Sequence, residues 1–238
     1  AQVSGSTYLQ SFTSTGFNTG STFSASADNY VSWTFRDQAK FFDVVTYTGN
    51  GTNRTIAHNL GSVPGCIIVK RLDSTSEWYV YHRALTSAAY GIELNNTGAQ
   101  SLDTTLWNST APTNLVFSLG TSGGINASGG TYVAYLFAHN AGGFGLTGND
   151  NVISCGTFTT ATSVLTVTLG YEPQYILYKR TDSTGDWQCY DNMRGFPNGR
   201  RLVPNSSAAE DAGSVIGALA DGFTVNTTFN ATFIYIAI

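Results

Sequence analysis

Apolar and polar residues alternate in short runs along most of this chain, and no window of eleven or more residues sustains an apolar period of 3.6. Runs rich in Val, Ile, Thr, Tyr, Phe and Trp are separated every 8–15 residues by Gly, Asn, Asp, Ser and Pro. In the better-defined half the pattern predicts strands near residues 42–47, 54–59, 66–72, 77–83, 90–94, 115–119 and 131–139. Helix is restricted to short turns, such as residues 83–89 or 208–219. This strand density predicts an all-β chain built as a two-sheet β-sandwich.

The chain also repeats itself. Leu60-Gly61-Ser62-Val63-Pro64 matches Leu169-Gly170-Tyr171-Glu172-Pro173, and the register continues ungapped. Lys70-Arg71-Leu72-Asp73 through Trp78 matches Lys179-Arg180-Thr181-Asp182 through Trp187, and Tyr81 matches Tyr190. In that register His58 falls on Val167 and His82 on Asp191. The close of the repeat returns as well: Ile125-Asn126-Ala127 and residues 132–137 match Val225-Asn226-Thr227 and residues 232–237. Tyr30-Val31-Ser32-Trp33-Thr34-Phe35 resembles the same closing strand. The expected organisation is therefore closing strands of a preceding partial repeat over 1–40, a first repeat over 41–140, a Gly-rich linker over 141–150 and a second repeat over 151–238. The repeats could form two tandem sandwiches or one pseudo-symmetric body. A chain opening on Ala1-Gln2-Val3 part-way through a repeat is expected to be a fragment or a processed product.

Composition narrows the function classes. Hydrophobic residues make up 42% of the 238 positions, enough for a core, whereas charged residues are only 11%. That is well under the roughly 25% of ordinary soluble domains. The surface must then be built from Ser, Thr, Asn and Gly, as suits extracellular fibres and sugar-binding modules. With net charge −4 and no basic stripe, nucleic acid is not an expected partner. No apolar run reaches the roughly 20 residues of a membrane-spanning helix. Cys66, Cys155 and Cys189 are odd in number and lie in apolar stretches without CxxC spacing, so buried free thiols are expected and a zinc site is not. A Cys155–Cys189 disulfide is the alternative.

Candidate chemistry is sparse. There is no HExxH and no GxSxG, and no metal site is predicted. Asp73/Glu77 and Asp182/Asp186 are acid pairs four residues apart in both repeats, at the ends of a hairpin loop. Turn chemistry explains them first: Asp opens the turn, Gly185 supplies positive φ, and the acid before each Trp pairs with Lys or Arg across the hairpin. Calcium or sugar binding is the second reading, and glycosidase-type catalysis by two carboxyls the third. Trp33, Trp78 and Trp187 are expected in the core. Trp107, in the polar stretch Leu106-Trp107-Asn108-Ser109, is the candidate exposed aromatic for stacking on a sugar.

Residues 41–51, Arg54-Thr55-Ile56-Ala57-His58-Asn59-Leu60-Gly61-Ser62-Val63-Pro64, Ile67-Ile68-Val69-Lys70-Arg71, Trp78-Tyr79-Val80-Tyr81-His82, and the closing Asn126-Ala127-Ser128-Gly129 with Thr131-Tyr132-Val133-Ala134-Tyr135 together resemble a repeat of uncharacterised function common in virion proteins of tailed phages. The resemblance covers the first repeat well and the second loosely. It implies a jelly-roll or concanavalin-like (lectin-like) sandwich in a fibre, spike or capsid decoration on the virion surface. Such proteins are often trimeric homo-oligomers that contact other virion proteins and host-surface glycans. The expectation is a non-enzymatic virion structural and attachment module without a cofactor, calcium excepted. The alternatives are a carbohydrate-binding module of a secreted bacterial protein and a glycan-degrading tailspike.

Overall fold

A computed structural model describes residues 8–23, 30–196, 199–213 and 215–238. Ala1, Gln2 and Val3, like the rest of the opening seven residues, lie outside the described residues. The chain is all-β with antiparallel sheets. In order its strands are β1 (Leu9–Thr13), β2 (Gly16–Thr19), β3 (Phe42–Thr48), β4 (Arg54–Ala57), β5 (Cys66–Arg71), β6 (Trp78–His82), β7 (Tyr90–Glu93), β8 (Ser101–Leu102) and β9 (Val116–Leu119). A single turn of helix, α1 (Gly123–Asn126), precedes β10 (Thr131–Phe137). There follow β11 (Ser154–Thr160), β12 (Leu165–Thr168), β13 (Tyr175–Arg180), β14 (Trp187–Asp191), β15 (Arg200–Arg201), β16 (Asp211–Ala212), β17 (Ile216–Leu219), β18 (Gly222–Val225) and β19 (Ala231–Ala237). The predicted strands of the first repeat fall where expected; α1, inside a stretch that reads as a Gly-rich loop, does not. Residues 211–212 and 216–219, inside a region read as a helical turn, are strands.

Two main sheets share one wiring. The first runs β3-β10-β5-β6-β7-β8 and the second β11-β19-β13-β14, so in each the closing strand inserts between the first strand and the hairpin. The period of two sorts their residues onto two faces. On one face of the first sheet, Ile67, Val69, Tyr132, Ala134 and Leu136 meet Phe117 and Leu119 of the β4–β9 ribbon, together with Trp107 and Ile125. The corresponding face of the second sheet carries Ile176, Tyr178, Phe233 and Tyr235 and is covered by β12-β18-β17 through Phe223, Val225 and Ile216.

The opposite faces of the two sheets pack against each other. Cys155, Leu177, Trp187, Cys189, Ile234 and Ile236 of the second sheet join one continuous core with Phe42, Cys66, Ile68, Val80 and Phe137 of the first. The repeats therefore stand back to back as a single pseudo-symmetric body, not as two separate sandwiches. Polar bonds pin this seam: Trp187 Nε1 donates to Glu93 O (2.8 Å), Lys179 Nζ to Thr97 O (3.2 Å) and Gly185 N to Thr97 O (2.9 Å). Each buried Leu, Ile or Phe in such a layer contributes about 1.5–3 kcal/mol.

The pairing registers correct the alignment at three points. Tyr132 lies opposite Arg71, and Phe233 lies opposite Arg180. Phe233, not Thr232, is thus the counterpart of Tyr132; a one-residue slip would have turned every side chain of the closing strand to the wrong face. Leu119 pairs with Arg54 at the end of its ribbon as Val225 pairs with Leu165, and the ring contacts Tyr47–Phe117 and Phe158–Phe223 match. Val225 therefore answers to Leu119, and Ile125 in α1 has no counterpart. By the same pairing Val167 answers to Ile56, so His58-Asn59 is an excess of the first repeat.

Before the first sheet, β1 and β2 pair, among the described residues, only with each other, and Phe12 at their tip is 73% exposed. Tyr30–Phe35, expected as a strand, is irregular. Its Trp33 is not core: it crosses to the second repeat, where its Nε1 donates to Asp191 Oδ2 (2.9 Å) and its ring meets Tyr175 edge-on at 5.9 Å. Phe35 packs against Phe41, Phe42, Phe137 and Tyr175, so this segment straps the two sheets together.

Candidate functional site

The hairpin loops that carry the paired acids have a common construction. Arg71 Nε donates to Asp73 Oδ1 (2.9 Å) and its Nη2 to Oδ2 (3.1 Å); Arg180 repeats this with Asp182 (2.7 and 3.5 Å). The bond from Arg71 holds the Asp73 carboxyl down at about 2. The second acid of each pair makes no salt bridge to Lys or Arg among the described residues, although Lys179 lies near enough to Asp186 to feel its charge. Asn95 donates to Glu77, and Asn205 Nδ2 donates to Asp186 Oδ1 at 2.8 Å. The same two amides accept the backbone N–H of Trp78 and Trp187, each at 2.8 Å. An Asn clamp thus explains why an acid precedes each Trp. Gly185 is not among the residues with positive φ. It lies flush against the first repeat, where its N–H bonds Thr97. Lys70 likewise donates to the Ser76 carbonyl, not to Glu77.

Trp107 is not exposed. It is 1% accessible, its ring edge-on to Tyr81 at 5.9 Å, and its indole N–H is buried without a hydrogen-bond partner among the described residues. Polar neighbours in sequence concealed this, because the chain turns at Asn108 and Ser109, both at positive φ, and only the Leu106-Trp107 pair points inward. Trp187 is buried as expected, and Trp78 is half-buried.

The histidines support backbone. His58 is buried with Nε2 3.1 Å from Thr113 O, and its Nδ1 accepts the Leu60 N–H (3.3 Å). His82 Nε2 bonds Tyr235 O across the seam (3.1 Å) while its Nδ1 accepts the Ala84 N–H (3.1 Å). Burial pushes its pKa down to about 3. His139 Nδ1 accepts the N–H of Cys155 (3.1 Å), and burial lowers it to about 4. The three thiols are free and buried, and desolvation raises each; Cys189 rises to about 11. Cys155 and Cys189 occupy one row across β11, β19, β13 and β14 through Ile236 and Leu177. Three strand spacings separate them by about 14 Å, whereas a disulfide needs Cα atoms about 4–7 Å apart. No cluster of three or more His, Cys, Asp or Glu suited to a metal occurs among the described residues.

Two concavities stand out. The first is an apolar cleft of about 460 Å³ where the seam stays open, walled by Val44, Trp78 and Tyr135 on one side and by Tyr175, Leu177 and Ile236 on the other. Leu94 and Pro204, each directly before a clamping Asn, face it from the two repeats. The second is a smaller and more polar hollow of about 270 Å³ over the hairpin of the second repeat, lined in part by Arg180, Asp186, Gln188, Arg201 and Phe229. Of the acids picked out in the sequence, Asp186 lines this hollow directly and Asp182 orients Arg180 at its rim; Asp73 and Glu77 lie at the equivalent place in the first repeat, 109 positions earlier.

Comparison with known proteins adds little chemistry. No curated protein matches the chain. Among solved structures it is similar to a chain described as "Crystal Structure of the STIV MCP", at 10% identity over 83% of this chain and 95% of that one, with a TM-score of 0.27. The family model described as "Domain of unknown function (DUF7483)" matches residues 1–238, and the chain belongs to that family.

Proposed function

We propose that the chain is a non-catalytic structural module of a virion surface that attaches to host glycans. The observation that carries the reading is the state of its reactive side chains. Each histidine, thiol and paired acid singled out by the sequence is held in a bond or a core that maintains the scaffold. None of them converges with another on an open cleft as general acid–base or nucleophilic catalysis requires.

The rest of the molecule agrees with this role. Its two sheets share one seam, giving a stiff double layer. Its surface is poor in charge and rich in hydroxyl and amide groups, which suits contact with neutral polysaccharide. The exposed β1–β2 ribbon, with Phe12 at its tip, supplies an apolar face for homo-oligomer assembly. The resemblance of residues 41–135 to phage virion repeats points to the same setting.

The test has two arms. Mass spectrometry of purified particles from the source of the chain should find it in the virion, and the isolated chain should be oligomeric by light scattering and bind host cells. A chain that is secreted by a bacterium and absent from particles, or one that depolymerises the host polysaccharide, would overturn the proposal.

A further inference from the structure

The two repeats differ most at one place. In the first, ten residues (120–129) lead from β9 toward the closing strand and include α1; in the second, five (226–230) do the same work without a helix. The helix turn of the first repeat lies on the hairpin. Tyr132 Oη donates to Gly123 O (2.9 Å), Arg71 Nη1 reaches the same oxygen (3.5 Å), and Ser76 Oγ donates to Gly124 O (3.4 Å). Gly124 sits so close to Tyr79 that an added Cβ would lie 2.3 Å from its ring. The counterparts of Arg71, Ser76, Tyr79 and Tyr132 are Arg180, Gly185, Gln188 and Phe233, and all four line the hollow of the second repeat. What a plug of backbone covers in one repeat is open in the other.

From this difference we infer that the hollow over the second hairpin is a binding site for one neutral sugar ring. The inference rests on the glycan-attachment reading above and gives it an address. A hollow of about 270 Å³ lies just below the roughly 300–1,000 Å³ of pockets for drug-sized ligands, a size for a single ring.

Its lining has the chemistry that hydroxyl groups need. Phe229 is 48% exposed, and the Arg180 guanidinium lies 5.7 Å from its centroid, so the two form a flat platform at the rim. Gln188 Oε1 already accepts from Tyr178 Oη (2.6 Å) and Arg201 Nη1 (2.7 Å), which leaves the amide N–H donors for a ligand. Asp186 contributes a carboxylate acceptor. Charge argues against an anion: Arg180 is paired with Asp182 and Arg201 with Asp211 (2.7 Å), and the Lys179 ammonium, turned to the Thr97 and Arg180 carbonyls, is offset by Asp186. Among the described residues, a phosphate or uronate would meet there no cation whose charge is not already answered by a carboxylate.

The experiment is saturation-transfer NMR on the whole chain with glucose, galactose, mannose and N-acetylglucosamine at millimolar concentration, with inorganic phosphate and glucuronate as counter-probes. At least one neutral sugar should receive saturation and shift the Gln188 side-chain amide resonances. Phe229→Ala removes only an exposed ring, and Thr227→Trp fills the mouth from the loop; each should weaken binding about tenfold or more without changing the circular dichroism spectrum. Preference for phosphate or glucuronate would overturn the inference. So would sugar binding that both variants leave intact, or a protein that engages host cells while none of the sugars receives saturation; in those two cases attachment survives and only its address is wrong. Loss of host-cell binding and absence from particles would remove the attachment reading itself.

Discussion

Acid should loosen the seam between the two sheets through His82. Both ring nitrogens are committed: Nε2–H donates to Tyr235 O on the far sheet and Nδ1 accepts from the Ala84 N–H. A proton added at Nδ1 would face a donor in a fully buried place. Burial accordingly lowers the folded pKa to about 3, with nearby Arg83 and His139 adding to the effect. The unfolded side chain titrates near about 6.5. Between these values the unfolded chain takes up a proton that the folded chain refuses, so stability is greatest above pH 6.5 and falls as the pH drops. The slope is about 1.4 kcal/mol per pH unit, which amounts to about 2 kcal/mol by pH 5 and about 4 kcal/mol near pH 3, where the folded side chain itself begins to titrate. His139, lowered to about 4, adds a slope of the same sign. Asp73, held at about 2 by Arg71, loses its contribution as the pH falls through the usual carboxylate range, so the histidines set the slope between pH 6.5 and 4.5, against which Glu93, raised by burial, acts with the opposite sign. Urea unfolding followed by tryptophan fluorescence should show this slope in the native chain. His82→Gln, which keeps a neutral donor and acceptor, should be flatter by one proton's worth. An unchanged slope in that variant, or no pH dependence above 4.5, would refute the reasoning.

Three further outcomes are expected. Trp107→Ala should destabilise by about 3–5 kcal/mol in denaturant melts, the cost of emptying a buried aromatic site, whereas an exposed indole would cost under about 0.5 kcal/mol. Gly124→Ala should cost about 1–3 kcal/mol because its methyl would enter the Tyr79 ring, while Gly185→Ala, whose Cβ would find its nearest neighbour at 3.4 Å, should be far milder in the same melts. Cys66, Cys155 and Cys189 should ignore an aromatic disulfide reagent in the native chain and all react in denaturant; rapid native labelling of any of them would contradict their burial.

Much of the fold was legible in the chain because strand signals are local. Runs of β-branched and aromatic residues over 66–71 and 78–82 with turn residues between them are enough to place a hairpin, and its recurrence 109 residues later places the second one. The relations between elements were not local. Nothing in the alternation of Phe42, Ile68 and Trp78 says that the layer covering them belongs to the other repeat. The apolar character of both sheet faces was the available sign, since a strand such as Cys-Ile-Ile-Val reads as buried on each side. Trp107 misled because composition of its neighbours stood in for direction, and a backbone turn at two left-handed residues reversed it. The paired acids were correctly placed in turns, but the Asn that clamps the second acid lies 18 or 19 residues away, beyond the reach of hairpin rules. The hollow left no motif; its signal is a five-residue difference in loop length between repeats, visible only once the closing strands are set in their true register.

Back-to-back packing also limits how this unit can multiply. Repeats that stack head to tail always leave a fresh face for the next copy and can grow into solenoids. Here both copies offer the same face to each other, as in an isologous dimer, and the union consumes it. Two halves saturate the association and a third would find nothing complementary. An extended protein made of this unit must therefore lengthen in steps of two, joined by its edges, ribbons or linkers. Severing the halves would leave each with a sheet-wide apolar wound, so neither should survive alone in water.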